Sequence, residues 1–355
     1  MINIKFEYPV RGQGRPQVVL IGNGLERKSG QVAWNSLVDN LTVKNCIPIS
    51  DEEREKVPFP LLYESLVQGQ PIPRMLDRIS ISNEEKRLKE EMSHLVSMSN
   101  DLLDNLPTLK ADHIFTTNYS YCLEKAFFPR RNFYNDESRS SVRFNLLPLN
   151  NDGKQKQERE YFLHSGYYSE KRNTALWHIH GEASVPKGIV LGHDRYGRLL
   201  KRIIESCEAI DFKTITKKGA RYSFTSWPEI FIFGDVYVIG FGFLQCEFDL
   251  WWLLKRKQRE RHGDGTVYFY DIHRTVKELL PTDCCAPEDM ESIRKMNDDI
   301  KRHNRNVQNY DLNKKLLAAH GVQIMDLGSS NETEYDEFYM KAFDDVRSKI
   351  EASRI

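Results

Sequence analysis

Leu176-Trp177-His178-Ile179-His180-Gly181-Glu182 decides how this chain reads, together with the earlier Phe115-Thr116-Thr117-Asn118-Tyr119-Ser120. Each is a short apolar run that stops abruptly at polar groups. That is the pattern of a buried strand in a parallel sheet, delivering side chains to the sheet's edge. A polar residue at the C-terminal end of such a strand stands where open α/β sheets bind ligands. Asn118 and His180 are therefore expected to meet over a bound nucleotide. Both residue types also have ordinary roles: an asparagine there commonly caps the following helix, and a strand histidine is often a satisfied core group.

Outward from these runs, similar strands recur. Val18-Val19-Leu20-Ile21 leads into Gly22-Asn23-Gly24, a tight turn that glycine permits, with a helix resuming over about 29–40. Backbone N–H groups and a helix N-terminus then stand where a pyrophosphate fits. The third glycine of the usual dinucleotide fingerprint is missing, so this turn alone identifies nothing. A strand over 235–243 ends in Gly240-Phe241-Gly242, and Glu247 opens the helix beyond it. Thr266-Val267-Tyr268-Phe269-Tyr270-Asp271 reads as a strand with an acidic tip, placed to accept hydrogen bonds from a ribose diol.

Gly188-Ile189-Val190-Leu191 reads as a further strand and 322–326 as the last. Helices are expected over 83–106, with Ser82 or Asn83 as N-cap, over 287–320 and over 331–355. Strands alternating with helices predict an α/β fold, a Rossmann-like parallel sheet with helices on both faces. Residues 45–73 are rich in proline and read as an irregular cap over the sheet edge. Residues 129–175 are polar, aromatic and basic, and read as an inserted β-rich or mobile segment. The expected organisation is one domain over 1–286 with insertions at about 45–110 and 129–175, and a mainly helical C-terminal tail over 287–355 packed on it.

Composition narrows the classes. At 355 residues the chain has room for a large core. Lys+Arg and Asp+Glu both number 51, so the formal net charge is +0 and direct nucleic-acid binding is not expected. The basic run over 255–261 reads as a solvated helix face. The six cysteines include no C-x-x-C pair, so no metal site is expected. No signal peptide and no apolar run of membrane length is evident, and a soluble, cytoplasmic protein is the expectation.

The order Gly-x-Gly, Thr-Asn-Tyr, His-Gly, Gly-x-Gly with a trailing Asp resembles the sirtuin fold, and more closely its bacterial sirtuin-like branch of NAD-hydrolysing defence proteins. The resemblance implies that Gly22, Asn23 and Gly24 form the first phosphate-binding turn. It implies that Asn118, next to Thr117, holds the nicotinamide ribose and an attacking water, and that His180 is the catalytic histidine. Gly240, Phe241 and Gly242 match the second glycine turn, and Asp271 lies about where the family contacts the adenosine ribose. His178, two residues before His180, would share its face by strand alternation; His180 is preferred because it stands at the strand tip beside Gly181. Glu182 and His193 are expected to supply supporting hydrogen bonds.

Protein-deacylating sirtuins carry a zinc module with paired C-x-x-C ligands, which this chain lacks. The resemblance therefore implies NAD as a substrate, hydrolysed to nicotinamide and ADP-ribose, with cyclised ADP-ribose as a minor product. Relatives of similar size act beside a HerA-type ATPase, an Argonaute or another sensor. A homo-oligomer in contact through the Trp251-Trp252 helix and the tail, activated by such a partner in antiphage abortive infection, is what the likeness leads one to expect.

Overall fold

The computed structural model describes residues 2–26, 34–42, 48–54, 56–68, 77–93, 100–148, 158, 160–210, 221–259, 265–273, 290–329 and 335–354. Among them lie strands β1 (Phe6–Pro9), β2 (Gln17–Ile21), β3 (His113–Thr116), β4 (Arg143–Asn145) and β5 (Ser165–Ser169). Five more follow: β6 (Thr174–His178), β7 (Arg221–Phe224), β8 (Asp235–Ile239), β9 (Val267–His273) and β10 (Gln323–Ser329). β1 and β7 pair as an antiparallel ribbon, and the other eight form one sheet in the order β10-β9-β8-β2-β3-β6-β5-β4.

Neighbours from β10 through to β6 are parallel, while β5 runs antiparallel to both β6 and β4. The chain lays down β2, β3 and β6 toward one side, then returns to place β8, β9 and β10 on the other. Counted along the chain, these six parallel strands have the doubly wound order 3-2-1-4-5-6, with its switch point between β2 and β8. Ligands of open α/β sheets bind in the crevice beyond that point. Both strands that flank it end in a Gly-x-Gly turn.

Burial alternates with the pleat and is complete on both faces. Val19, Ile21, Ile114, Leu176, Tyr237 and Ile239 enter one core, whereas Val18, Leu20, Phe115, Trp177, Val236 and Val238 enter the other. That is why these strands read as continuous apolar runs and not as alternating ones. The first core is closed by residues of the helices Asp77–Ser93, Asp101–Asn105, Cys122–Phe127 and Tyr335–Ser353. The second is closed by His193–Glu208, Trp227–Phe233 and Phe248–Arg259. The α/β, Rossmann-like architecture expected from the sequence is the one observed, and no helix among the described residues is long and apolar enough to cross a membrane.

Several local expectations are corrected. The helical sequence over 83–106 is two helices, Asp77–Ser93 and Asp101–Asn105, so Ser82 and Asn83 lie inside the first instead of capping it. The capping residue is Asn100, whose side chain accepts from Leu103 N at 2.8 Å. Residues 188–191 form no strand: a 3-10 turn at Pro186–Gly188 gives way to extended chain, and a short apolar run in a buried loop looks the same in sequence. The proline-rich stretch carries short helical turns at Asp51–Arg54, Phe59–Tyr63 and Glu64–Gln68. β4 and β5, within 129–175, extend the main sheet as its antiparallel edge. Lys257 leaves the solvated basic face assigned to it: its Nζ donates to the carbonyls of Phe231, Ile232 and Gly234, at the end of the helix Trp227–Phe233.

Candidate active site at the strand tips

The two glycine turns interlock. Gly22 N donates to Ile239 O at 3.3 Å and Gly24 N to Gly240 O at 2.9 Å. A Cβ on Gly22 would lie 2.6 Å from Gly240 O, and one on Gly24 would lie 2.8 Å from the same oxygen, so neither glycine of the first turn tolerates a side chain. Gly240 also has a φ of 65°, in the left-handed region. Gly242 differs: it is exposed with nothing within 4 Å of a Cβ, so its freedom is not consumed by packing. Phe241 packs edge-on against Phe243, their ring centres 5.0 Å apart, and Asn23 and Gly24 remain half-buried.

Asn118 leaves β3 at this crevice. It does not cap the next helix, whose capping position is Tyr121 with no side-chain bond. Instead Asn118 Nδ2 donates to Gly22 O at 3.2 Å, tying the tip of β3 to the first glycine turn. Asn118 and the adjacent Thr117 are both buried. Beside them Ser120 Oγ donates to Glu26 Oε2 at 2.6 Å, while Glu26 Oε1 is buried without a hydrogen-bond partner among the described residues. Burial pushes the Glu26 carboxyl up to about 7, against the opposing hydrogen bonds from Ser120 and Asn118. A carboxyl group able to ionise near neutrality thus stands beside the asparagine, on the residue second after the glycine turn.

The two histidines separate. β6 ends at His178, so the alternation expected to place both on one face does not extend to His180. His178 points into the first layer: its Nδ1 donates to Asn118 O at 2.8 Å and its Nε2 to Glu124 Oε1 at 2.8 Å. A carbonyl only accepts, and a carboxylate does the same, so both ring nitrogens carry protons. Burial opposes that charge, but Glu124 outweighs it and lifts His178 to about 9. A histidine with both nitrogens protonated and bonded is no base, and His178 instead holds the Asn118 backbone.

His180 faces the second layer. Its Nε2 donates to Asp249 Oδ2 at 2.8 Å, and its Nδ1 lies 3.7 Å from Glu247 Oε2. Tyr196 Oη donates to that same Glu247 oxygen at 2.9 Å, and the Tyr196 ring meets the imidazole edge-on. Burial lowers the affinity of His180 for a proton, but Asp249 and Glu247 overcome it and raise it above the ordinary value. Burial likewise lifts Glu247 to about 7, opposed by His180. The donor atoms of His180, Glu247 and Asp249 lie within 4.8 Å of one another, and the hydrogen bonds they make account for that approach.

Register relates the tips. Thr116 is level with His178, the last pair of β3 and β6, and the contact beyond it is the His178 bond to Asn118 O. Val238 is level with Phe269, where the pairing of β8 with β9 ends, while β9 continues to His273 with Asp271 level with Asp326 of β10. The Asp271 carboxylate is buried and lies 3.4 Å from Lys314 Nζ. Glu182 is taken up by Arg143 Nη2 at 3.1 Å and by the Tyr167 hydroxyl. Burial works against its ionisation, yet Arg143 and His178 hold it below the usual carboxylate range. His193 stacks on Phe248, their ring centres 5.7 Å apart.

The SIR2-like domain family matches residues 112–231, which run from β3 through the helix Trp227–Phe233 and include both Asn118 and His180. The match spans about a third of the chain, and with the sheet order it shows a sirtuin-like fold. Among curated proteins, none matches the chain.

Proposed function

We propose that this chain is an NAD glycohydrolase that cleaves NAD to nicotinamide and ADP-ribose. SIR2-like proteins use NAD, and the observation that supports hydrolysis most is the Asn118 amide, bonded to the first glycine turn at the tip of β3. Breaking the nicotinamide–ribose bond leaves an oxocarbenium-like centre, so the enzyme needs a placed nucleophile and a base more than a strong electrophile. The glycine turns offer backbone N–H groups to the pyrophosphate. Asn118 has a side-chain acceptor with which to orient water against the ribose, and His180 takes the proton that water gives up.

The chain has no C-x-x-C pair to build the zinc module of deacylating sirtuins, which favours hydrolysis over deacylation. Its biological role, on this reading, is depletion of cellular NAD in antiphage defence, triggered by oligomerisation or by a HerA-type ATPase, an Argonaute or another sensor. Leu244 and Phe248, exposed apolar residues, with half-buried Trp251 bonded through Nε1 to Leu244 O, are the surface on which a second copy would bear. A second reading, a binding module without turnover, draws on the two carboxylates that face His180.

Nicotinamide release from NAD, followed by chromatography with the chain alone and with the product of its neighbouring gene, separates the two. Asn118→Ala and His180→Ala are each expected to lower release on the order of 100-fold or more. NAD that binds, measured by calorimetry, yet stays intact in every condition sinks the hydrolase reading.

A further inference from the structure

His180 is gripped from one side by the segment that follows β8. Glu247 immediately precedes the helix Phe248–Arg259 and Asp249 is its second residue, so both carboxylates arrive at the imidazole from the same short piece of chain. Their relations to the ring differ. Asp249 is fully buried and bonded through Oδ2 to Nε2 at 2.8 Å, a direct hydrogen bond. Glu247, with its side chain 12% exposed, stands 3.7 Å from Nδ1, beyond hydrogen-bond reach, and is held there by the Tyr196 hydroxyl.

An ionised carboxylate accepts and does not donate, so the Asp249 bond places the proton of neutral His180 on Nε2 and leaves Nδ1 unprotonated, with its lone pair able to accept. The imidazole then has one basic atom, and it faces Glu247. We infer that Asp249 is the positioning residue that makes Nδ1 the proton-accepting atom of His180, and that Glu247 receives that proton and passes it to solvent. This deepens the hydrolase reading and rests on it.

The step balances. Water gives one proton to Nδ1 as its oxygen bonds to the ribose carbon, and nicotinamide leaves with the electron pair of the broken glycosidic bond. The imidazolium then transfers the Nδ1 proton to the Glu247 carboxylate, which releases it at its exposed edge. Among the described residues, Tyr196 of the helix His193–Glu208 also meets this ring, and its hydroxyl already serves Glu247. Beyond the end of β6, His180 is held by the Asp249 bond on its ring and by Val190 N, which donates to its carbonyl at 2.9 Å.

The test has two readouts, one of which needs no turnover. With histidine labelled by nitrogen-15, and His180 assigned by its loss in His180→Gln, the ring nitrogens are followed at alkaline pH in the full chain. The expected spectrum has His180 protonated at Nε2 and bare at Nδ1, and Asp249→Asn removes that preference. A proton found on Nδ1 overturns the inference, whether or not NAD is cleaved. In the activity readout, Asp249→Asn is expected to lower kcat roughly 100- to 10,000-fold with KM and NAD binding retained, as loss of a tautomer-fixing carboxylate does elsewhere. Glu247→Gln is expected to lower kcat about 10-fold and to move the pH profile, with Glu247→Asp restoring part of the rate. Wild-type kcat and an unshifted profile in both variants overturn the relay. A wild-type chain that never releases nicotinamide instead defeats the hydrolase reading, and the tautomer measurement still decides the Asp249 contact.

Discussion

At the scale of single residues, the site contains charges that a core built only for stability would not keep. Glu26 is buried beside Asn118 with its carboxyl pushed up to about 7. Its folded value lies above the unfolded one, near 4.5, so its contribution is intact below about 4.5 and lost as pH rises through about 7. Glu26→Gln is therefore expected to gain about 1–3 kcal/mol over the parent at pH 8 and little at pH 4.5, read by chemical denaturation. A variant less stable than the parent at pH 8 would show Glu26 to be a structural group. His178 follows the same sign: raised to about 9, its pairing with Glu124 is fully present below about 6.5 and fades as pH climbs through 9. Glu124→Gln is expected to cost about 3–5 kcal/mol at pH 6, because it strands a buried imidazolium, and distinctly less at pH 9.5. A cost that does not change with pH would contradict the charged state assigned to His178.

At the scale of elements, turns and helix ends position the chemistry, and these are where the sequence was hardest to read. The Gly-x-Gly turns were legible because close approach of two backbones leaves glycine no substitute. Asn118 and His180 were legible because apolar runs stop at them. Glu247 and Asp249 were not: in sequence they are two acids at the start of a helix, which the helix dipole alone would select. The contact with His180 spans 69 residues of chain and is invisible to any local pattern. A signal for Glu26 existed, since it is the second residue after the first glycine turn, but an acid there looks like a solvated first turn. The basic run misled for a similar reason, as Lys257 lies between exposed Lys255 and Arg259 in a run of charges yet turns inward onto three carbonyls. Lys257→Met is expected to cost about 2–3 kcal/mol in denaturant, since the carbonyls of Phe231, Ile232 and Gly234 lose their shared donor. A change within 0.5 kcal/mol, the usual range for surface positions, would restore the solvated reading.

At the scale of the whole molecule, the parallel sheet with helices on both faces was predictable from strand and helix alternation, whereas the order of its strands was not. The edges were not. β4 and β5 lie in a stretch without clear periodicity, and β1 and β7 pair across more than 200 residues. The C-terminal part is integral to the fold: β10 forms one edge of the sheet, and the last helix buries Phe343, Val346 and Ile350 against the first core. Tyr339 of that helix meets the first glycine turn, so the end of the chain reaches the site. Phe343→Ala is expected to cost about 3–5 kcal/mol, and a melting temperature unchanged from the parent would show the helix to be an appendage.

The most direct test incubates the full chain with NAD, alone and with the product of its neighbouring gene, and follows nicotinamide by chromatography. The account predicts release of nicotinamide with matching ADP-ribose, abolished in Asn118→Ala and in His180→Ala while both variants still bind NAD. Release at the parent rate by either variant, or NAD recovered intact from every mixture, would contradict it.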